Sequence, residues 1–285
     1  MWQATIGDCL TLITASVPGG FLRILLSCAM LLAPTALRAA SQRVALGTNH
    51  TLAITPYGTV VATGNNSYGQ LGNGEPAPKT TGNPALPTIV NLKAYSAVPV
   101  LGLTRIVAVA AGDTHSMALD ADGIVWVWGR NNYGQLAKIS TAGGLAFSNI
   151  PIRVANLPLP SGAKVVEISA GANHNLVRDS TGNIYGWGLN ERAQLGLPKT
   201  AALFLSQPRL IPLLLNDIPV PAFSISAGGV HSLALTTQGV FAWGANTDGQ
   251  TGNGEITTVT ADVTVPTLIP STSGNGLFTS VVCLK

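Results

Sequence analysis

The chain is 285 residues long, with only 9% of them charged, 32 glycines, 18 prolines and a formal net charge of +3. That profile suits many short strands joined by tight turns, in one large all-β domain or two smaller ones, and excludes a helical bundle rich in Glu, Lys and Ala. The 15 Lys and Arg residues form no run, which excludes the concentrated cationic face of a nucleic-acid binder.

From the N-terminus, residues 1–41 read as a signal peptide or apolar leader. The stretch 24–33 has the length of a signal-peptide core and is too short to cross a bilayer as a helix. Small side chains at Ala39, Ala40 and Ser41 place cleavage after Ser41 or Ala39. Asp8, with Arg23 as the single basic residue ahead of the core, points to a start of synthesis nearer Val17. The alternative is an uncleaved helix, buried or resting on a membrane, and membrane contact is expected only through this segment. Cleavage would leave Cys283 alone of the three cysteines, so no intramolecular disulfide could form. The expected location is therefore exported: periplasmic, cell-surface or extracellular.

Residues 42–285 are repetitive. Four segments align: VALGTNHTLAITPYGTVVATGNNSYGQLGNG (44–74), VAAGDTHSMALDADGIVWVWGRNNYGQLA (109–137), ISAGANHNLVRDSTGNIYGWGLNERAQLGL (168–197) and ISAGGVHSLALTTQGVFAWGANTDGQTGNG (225–254). All four histidines, His50, His115, His174 and His231, fall at one place in the unit. The same holds for Gly47, Gly112, Gly171 and Gly228, and for Gln70, Gln135, Gln194 and Gln250. Trp128, Trp187 and Trp243 share a position that is Thr63 in the first unit.

Each unit predicts a small antiparallel sheet. In the second, 106–110 is an apolar strand and Gly112 suits either a positive φ or a close backbone approach. After His115, 116–119 is a second strand, Asp122-Gly123 a hairpin turn, and 124–128 the returning strand, ended by Gly129. The Asn-x-x-Gly-Gln-Leu stretch that follows brings side-chain amides to satisfy loop backbone groups. Pro-rich segments such as 75–103 and 138–162 carry the outer strand and variable surface loops. Units begin near residues 44, 106, 165 and 223, and 278–285 resembles the start of a fifth.

The order AG-x-x-H-x-x-A-L, then G-x-(V/I)-(W/F/Y)-x-W-G-x-N-x-x-G-Q-L-G, resembles the repeat of the regulator of chromosome condensation family. The resemblance implies a β-propeller of four-stranded antiparallel blades, of which about four are present. They would form part of a ring, an open arc that self-associates through its edge blades, or a small closed ring. The departures are single losses within intact units: Thr63, Ala137, Ala193 and Thr251.

The histidines recur once per blade and do not converge, so no metal site is expected, and each imidazole is read as bonding within its own blade. Asp113, Asp122 and Asp248 fall in turns, and Glu167 and Glu191 are acids without an identifiable partner. With no nucleophile elbow, phosphate loop or dinucleotide fingerprint, no catalytic, cofactor or metal residues are expected. Trp126, Trp128, Tyr185, Trp187, Phe241 and Trp243 read as core. Tyr68 and Tyr133, in the Asn-x-x-Tyr-Gly-Gln turns, are either partner contacts or local packing.

The resemblance implies an exported binding or scaffold propeller with an unknown protein partner, since the family includes a secreted bacterial propeller that inhibits β-lactamases. The alternatives are a propeller enzyme acting on polysaccharide, or nucleotide exchange on a small GTPase as in the family's nuclear namesake. No extra hairpin suggesting an exchange wedge is evident.

Overall fold

The computed structural model describes residues 42–75, 93–139, 145–198, 200–254 and 262–270. The expected leader (1–41) and the start of a fifth unit (278–285) lie outside the described residues.

Four sheets follow one another, each with four strands paired antiparallel in chain order. The first blade holds β1 (Val44–Leu46), β2 (His50–Ile54), β3 (Val60–Asn65) and β4 (Lys93–Pro99). The second holds β5 (Ile106–Ala111), β6 (His115–Asp120), β7 (Val125–Arg130) and β8 (Phe147–Arg153). In the third are β9 (Val165–Ala170), β10 (His174–Asp179), β11 (Ile184–Leu189) and β12 (Phe204–Ile211). A short hairpin, β13 (Leu214–Leu215) and β14 (Ile218–Pro219), precedes the last blade. That blade is β15 (Ala222–Ala227), β16 (His231–Thr236), β17 (Gly239–Gly244) and β18 (Val263–Leu268).

The outer strands β4, β8, β12 and β18 come from the variable segments, as the sequence predicts. The small hairpin was not expected. Its turn, Asn216-Asp217, has φ of 52° and 63°, and both residue types tolerate the left-handed region that a two-residue hairpin turn requires.

Gly129 does not end its strand. It pairs with His115 beside a bulge between β7 and β8, at φ 97°. A Cβ there would lie 2.5 Å from the Thr114 carbonyl oxygen. Both the positive φ and the crowding require glycine, and the bulge turns the third strand toward its outer partner.

Blades pack face to face, and their burial records which faces are covered. Every residue of β6 and β10 is buried, because a blade lies on each side. In β2 only His50 and Leu52 are buried, while in β16 the opposite phase, Ser232, Ala234 and Thr236, is buried. Side chains alternate between the faces of a strand, so the first blade has one face uncovered and the fourth has the other. The aligned inner-strand residues agree: Val44 is 55% exposed, against 0% for Val109, 3% for Ile168 and 7% for Ile225. The four blades form a partial propeller, not a small closed ring.

Three apolar clusters fill the spaces between blades. Leu52, Ala62 and Leu71 of the first meet Val109 and Trp128 of the second. Met117, Val127 and Leu136 meet Ile168 and Trp187, and Leu176 and Ile211 meet Ile225 and Trp243. The recurring aromatics Trp128, Trp187, Trp243, Tyr185 and Phe241 are core residues, fully buried, whereas Trp126 is half-buried.

Candidate functional site

The polar residues of the repeat meet at the blade interfaces. Between the first and second blades, His50 Nε2 lies 2.9 Å from Ser116 Oγ, and Ser116 Oγ donates to the Gln70 carbonyl at 2.8 Å. The same carbonyl accepts from Trp128 Nε1 at 2.8 Å. Between the second and third, His115 Nε2 meets Asn175 Oδ1 at 2.8 Å. Asn175 Nδ2 and Trp187 Nε1 both donate to the Gln135 carbonyl, at 2.9 and 2.8 Å. Between the third and fourth, His174 Nε2 meets Ser232 Oγ at 3.0 Å. Ser232 Oγ and Trp243 Nε1 both donate to the Gln194 carbonyl, at 2.8 and 2.9 Å.

These bonds correct the expectation that each imidazole bonds inside its own blade. The Cε1–Nδ1 edge of the ring sits against the glycine that follows its own inner strand, which has room for it only because no Cβ is present. Nε2 is thereby aimed across to the next blade. A Cβ on Gly112 would be 2.5 Å from His115 Nδ1 and 2.6 Å from the Gly171 carbonyl oxygen. Of the two reasons offered for this glycine, close approach is the one that applies.

The network also sets the proton. Ser116 Oγ gives its single hydrogen to Gln70, so it must accept from His50, which places that proton on Nε2. Nδ1 of His50, His115 and His174 is buried without a partner. Burial pulls His50 and His115 down to about 4 and His174 to about 3, from an ordinary value of 6.5. These imidazoles are neutral in the fold.

The turn amides act as the sequence suggests. Gln70, Gln135, Gln194 and Gln250 each accept, through Oε1, the backbone N–H two residues earlier. Asn66, Asn131, Asn190 and Asn246 each accept the N–H five residues later.

In the fourth blade the same groups end differently. Among the described residues His231 Nε2 has no hydrogen-bond partner, and His231 and Gln250 are half-buried where their equivalents are fully buried. His231 is also lowered in pKa by burial.

Other site residues find partners that sequence alone did not reveal. Glu167 Oε2 pairs with Arg178 Nε at 2.7 Å, while its Oε1 accepts from Ser224 Oγ and the Ile225 amide of the next blade. The hairpin-turn role expected of Asp122 belongs to Asp120, whose Oδ1 accepts the amides of Asp122 and Ile124. The Asp122 carboxylate instead pairs with Arg105 at 2.8 Å. A turn favours a carboxylate at its first position, where it reaches the amides two and four residues ahead. Asp113 accepts from Thr48 Oγ1 of the preceding blade at 2.6 Å, and Asp248 accepts from Thr247 Oγ1 in its own turn.

Tyr68 lies under the Arg130 guanidinium, 4.6 Å from ring centroid to Cζ, a cation–π contact that crosses to the second blade. Tyr133 is half-buried in the equivalent turn.

The Ala-Gly ends of the four inner strands surround an open hollow of about 310 Å³. Apart from Leu46, its walls are backbone and small side chains. Asp113, already bonded to Thr48, is the one carboxylate among its lining residues. Among the described residues no three His, Cys, Asp or Glu gather as a metal site.

A family model described as the RCC1-like domain matches residues 28–283. The chain belongs to this family. It is 32% identical over 243 residues to the fission yeast (Schizosaccharomyces pombe) protein pim1, covering 80% of this chain and 41% of that protein. The human E3 ubiquitin-protein ligase HERC2 is also 32% identical over 243 residues, covering 84% of this chain and 4% of HERC2. Among solved structures, yeast RCC1 (Prp20) bound to Kap60 superposes with a TM-score of 0.63 at 27% identity, over 81% of this chain and 49% of that one. Human WBSCR16 gives 0.60 at 26% identity, over 80% and 51%. This RCC1-like chain thus spans about half, or less, of the length of the relatives it matches.

Proposed function

We infer that this RCC1-like propeller is a binding or scaffold module that engages another protein and performs no catalysis of its own. The observation that carries this reading is a division within each blade. At the three blade interfaces the repeated His, Gln, Ser or Asn, and Trp are buried, whereas the segments joining third to fourth strands differ in length and expose apolar side chains. Ile139 is 58% exposed and Leu203 60%, on the equivalent loops of the second and third blades. Exposed apolar side chains on variable loops over a rigid scaffold suit recognition. The relatives support it: yeast RCC1 was solved with Kap60 bound, and Prp20p of Saccharomyces cerevisiae is described with binding properties to Gsp1p and histones.

The reading extends to an exported protein, on the strength of the apolar core at 24–33 and the small residues at 39–41. Cross-linking mass spectrometry on the full chain in its host tests the binding role. Cross-links from one protein species to residues 131–146 and 190–203 are expected, and a turned-over substrate with no such protein would overturn it. N-terminal sequencing of the exported fraction is expected to begin near residue 40 or 42. A full-length chain retained inside the cell would overturn export.

A further inference from the structure

The grip of His Nε2 on a Ser or Asn, with an indole on the Gln carbonyl, has the same construction at all three blade boundaries. It therefore cannot tell one blade from another. The residues at the far end of each boundary can. In the second blade Ala108 pairs across the strands with Leu119, and both are buried, with Ala110, against Val165 and Ile168 of the third blade. At the matching places, counted from the histidine, the third blade has Glu167, Arg178 and Ser169, with Glu167 again paired across to Arg178. Three positions change together from apolar to polar.

The fourth blade is built to meet that change. Glu167 Oε2 accepts from Arg178 Nε at 2.7 Å, and its Oε1 accepts from Ser224 Oγ at 2.6 Å and from the Ile225 amide at 3.2 Å. Ser169 Oγ accepts the Ala227 amide at 2.9 Å. The Glu167 and Arg178 side chains are 13% and 10% exposed, so the pair has lost most of its water. Desolvation of two charges offsets most of their attraction, and apolar residues at such a place are often as stable. Ala108 and Leu119, one boundary earlier, show that this fold accepts apolar residues there. What a buried carboxylate adds is direction, since it needs donors at fixed points, whereas apolar faces attract any partner of fitting shape.

We propose that Glu167 and Arg178 are an address: they reserve their face of the third blade for the fourth, and so keep copies of the chain from exchanging blades as they fold. A second blade docked there would bring Ala108 and no hydroxyl. Another third blade would bring Glu167, carboxylate against carboxylate. Arg43, at this place in the first blade, turns to the Thr55 carbonyl of its own blade. Exchange of like units between chains is a characteristic failure of repeat proteins, and the shared grip does not oppose it.

Two variants of the full chain test this. Glu167→Ala with Ser169→Ala and Arg178→Leu gives the third blade the residues of the second. Glu167→Met with Arg178→Met keeps the volume, should the smaller side chains leave a cavity. In urea unfolding, at least one of them should keep a folding equilibrium constant within about 10-fold of the wild type, whereas Glu167→Ala alone, which strands Arg178, should lower it about 100-fold or more. After refolding over a concentration series, that apolar variant should give about 3-fold more dimer that persists on dilution, read by sedimentation. The substitutions are internal, so association through the ends of the arc is common to variant and wild type. If both apolar variants are more than about 10-fold less stable than the wild type, the pair is an ordinary stabilising contact and the address is overturned. A yield of persistent dimer no higher than the wild type's overturns it as well.

Discussion

Trp187 Nε1 donates to the carbonyl of Gln135 at 2.8 Å, across 52 residues of sequence and one blade boundary. The indole is fully buried, so the bond locks the third blade to the second where the apolar faces already meet. Truncation by Trp187→Ala should cost about 3–5 kcal/mol, and Trp187→Phe, which keeps most of the volume but loses the donor, about 1–2 kcal/mol. Trp126→Phe, at a half-buried position, should cost less than either. Urea unfolding midpoints of the three variants check the order.

Glycine at the inner-strand ends sets how closely blades approach. A Cβ on Gly171 would sit 2.4 Å from the Gly228 carbonyl oxygen and 2.4 Å from His174 Nδ1. Gly171→Ala must push two blades apart or displace the latch histidine, and should cost about 2 kcal/mol or more. Gly229, which lines the same hollow, has nothing within 4 Å of its missing Cβ and no positive φ, so Gly229→Ala should be neutral. Thermal melts of the pair distinguish crowding from a general intolerance of alanine.

Acid should unlatch the blades. His50, His115 and His174 have folded pKa values of about 4, 4 and 3, below the unfolded value of 6.5. Between these values the unfolded chain binds more protons than the folded one. Stability is therefore complete above pH 6.5 and falls as pH drops toward 4, by up to about 1.4 kcal/mol per pH unit for each histidine. Denaturant midpoints at pH 7, 6 and 5 measure the slope. A flat profile across this window would mean that the imidazoles are not held neutral.

Two ion pairs should behave oppositely. Glu167 and Arg178 have side chains only 13% and 10% exposed, and Glu167 also ties the third blade to the fourth. Glu167→Ala strands a buried guanidinium and should cost about 3 kcal/mol. Arg105 and Asp122 are 65% and 55% exposed, so Asp122→Ala should change stability by less than about 0.5 kcal/mol. Chemical denaturation of both variants at one salt concentration suffices.

Much of the blade was legible before any coordinates. The hairpin at Asp122-Gly123 and the amide-capped turns follow from local rules, since each involves residues two to five apart, whereas the four-strand blade was legible through the repeat and its resemblance to a known family. The hairpin of β13 and β14 was missed although Asn216-Asp217 is a turn pair, because only two residues flank it on each side. Glu167 seemed partnerless because Arg178 lies on the neighbouring strand and Ser224 on the next blade.

What the sequence determined by itself is periodicity: where His50, His115, His174 and His231 recur, and hence that each unit folds as the same wedge. Only the tertiary structure decided what those positions do. Whether an imidazole faces its own turn or the Ser or Asn of the next blade depends on how two sheets stack. That stacking brings each imidazole to a partner 58 to 66 residues away, which no spacing along the chain encodes. Stacking also decided that Val44 and His231 lie on uncovered faces, although their repeats read like the rest.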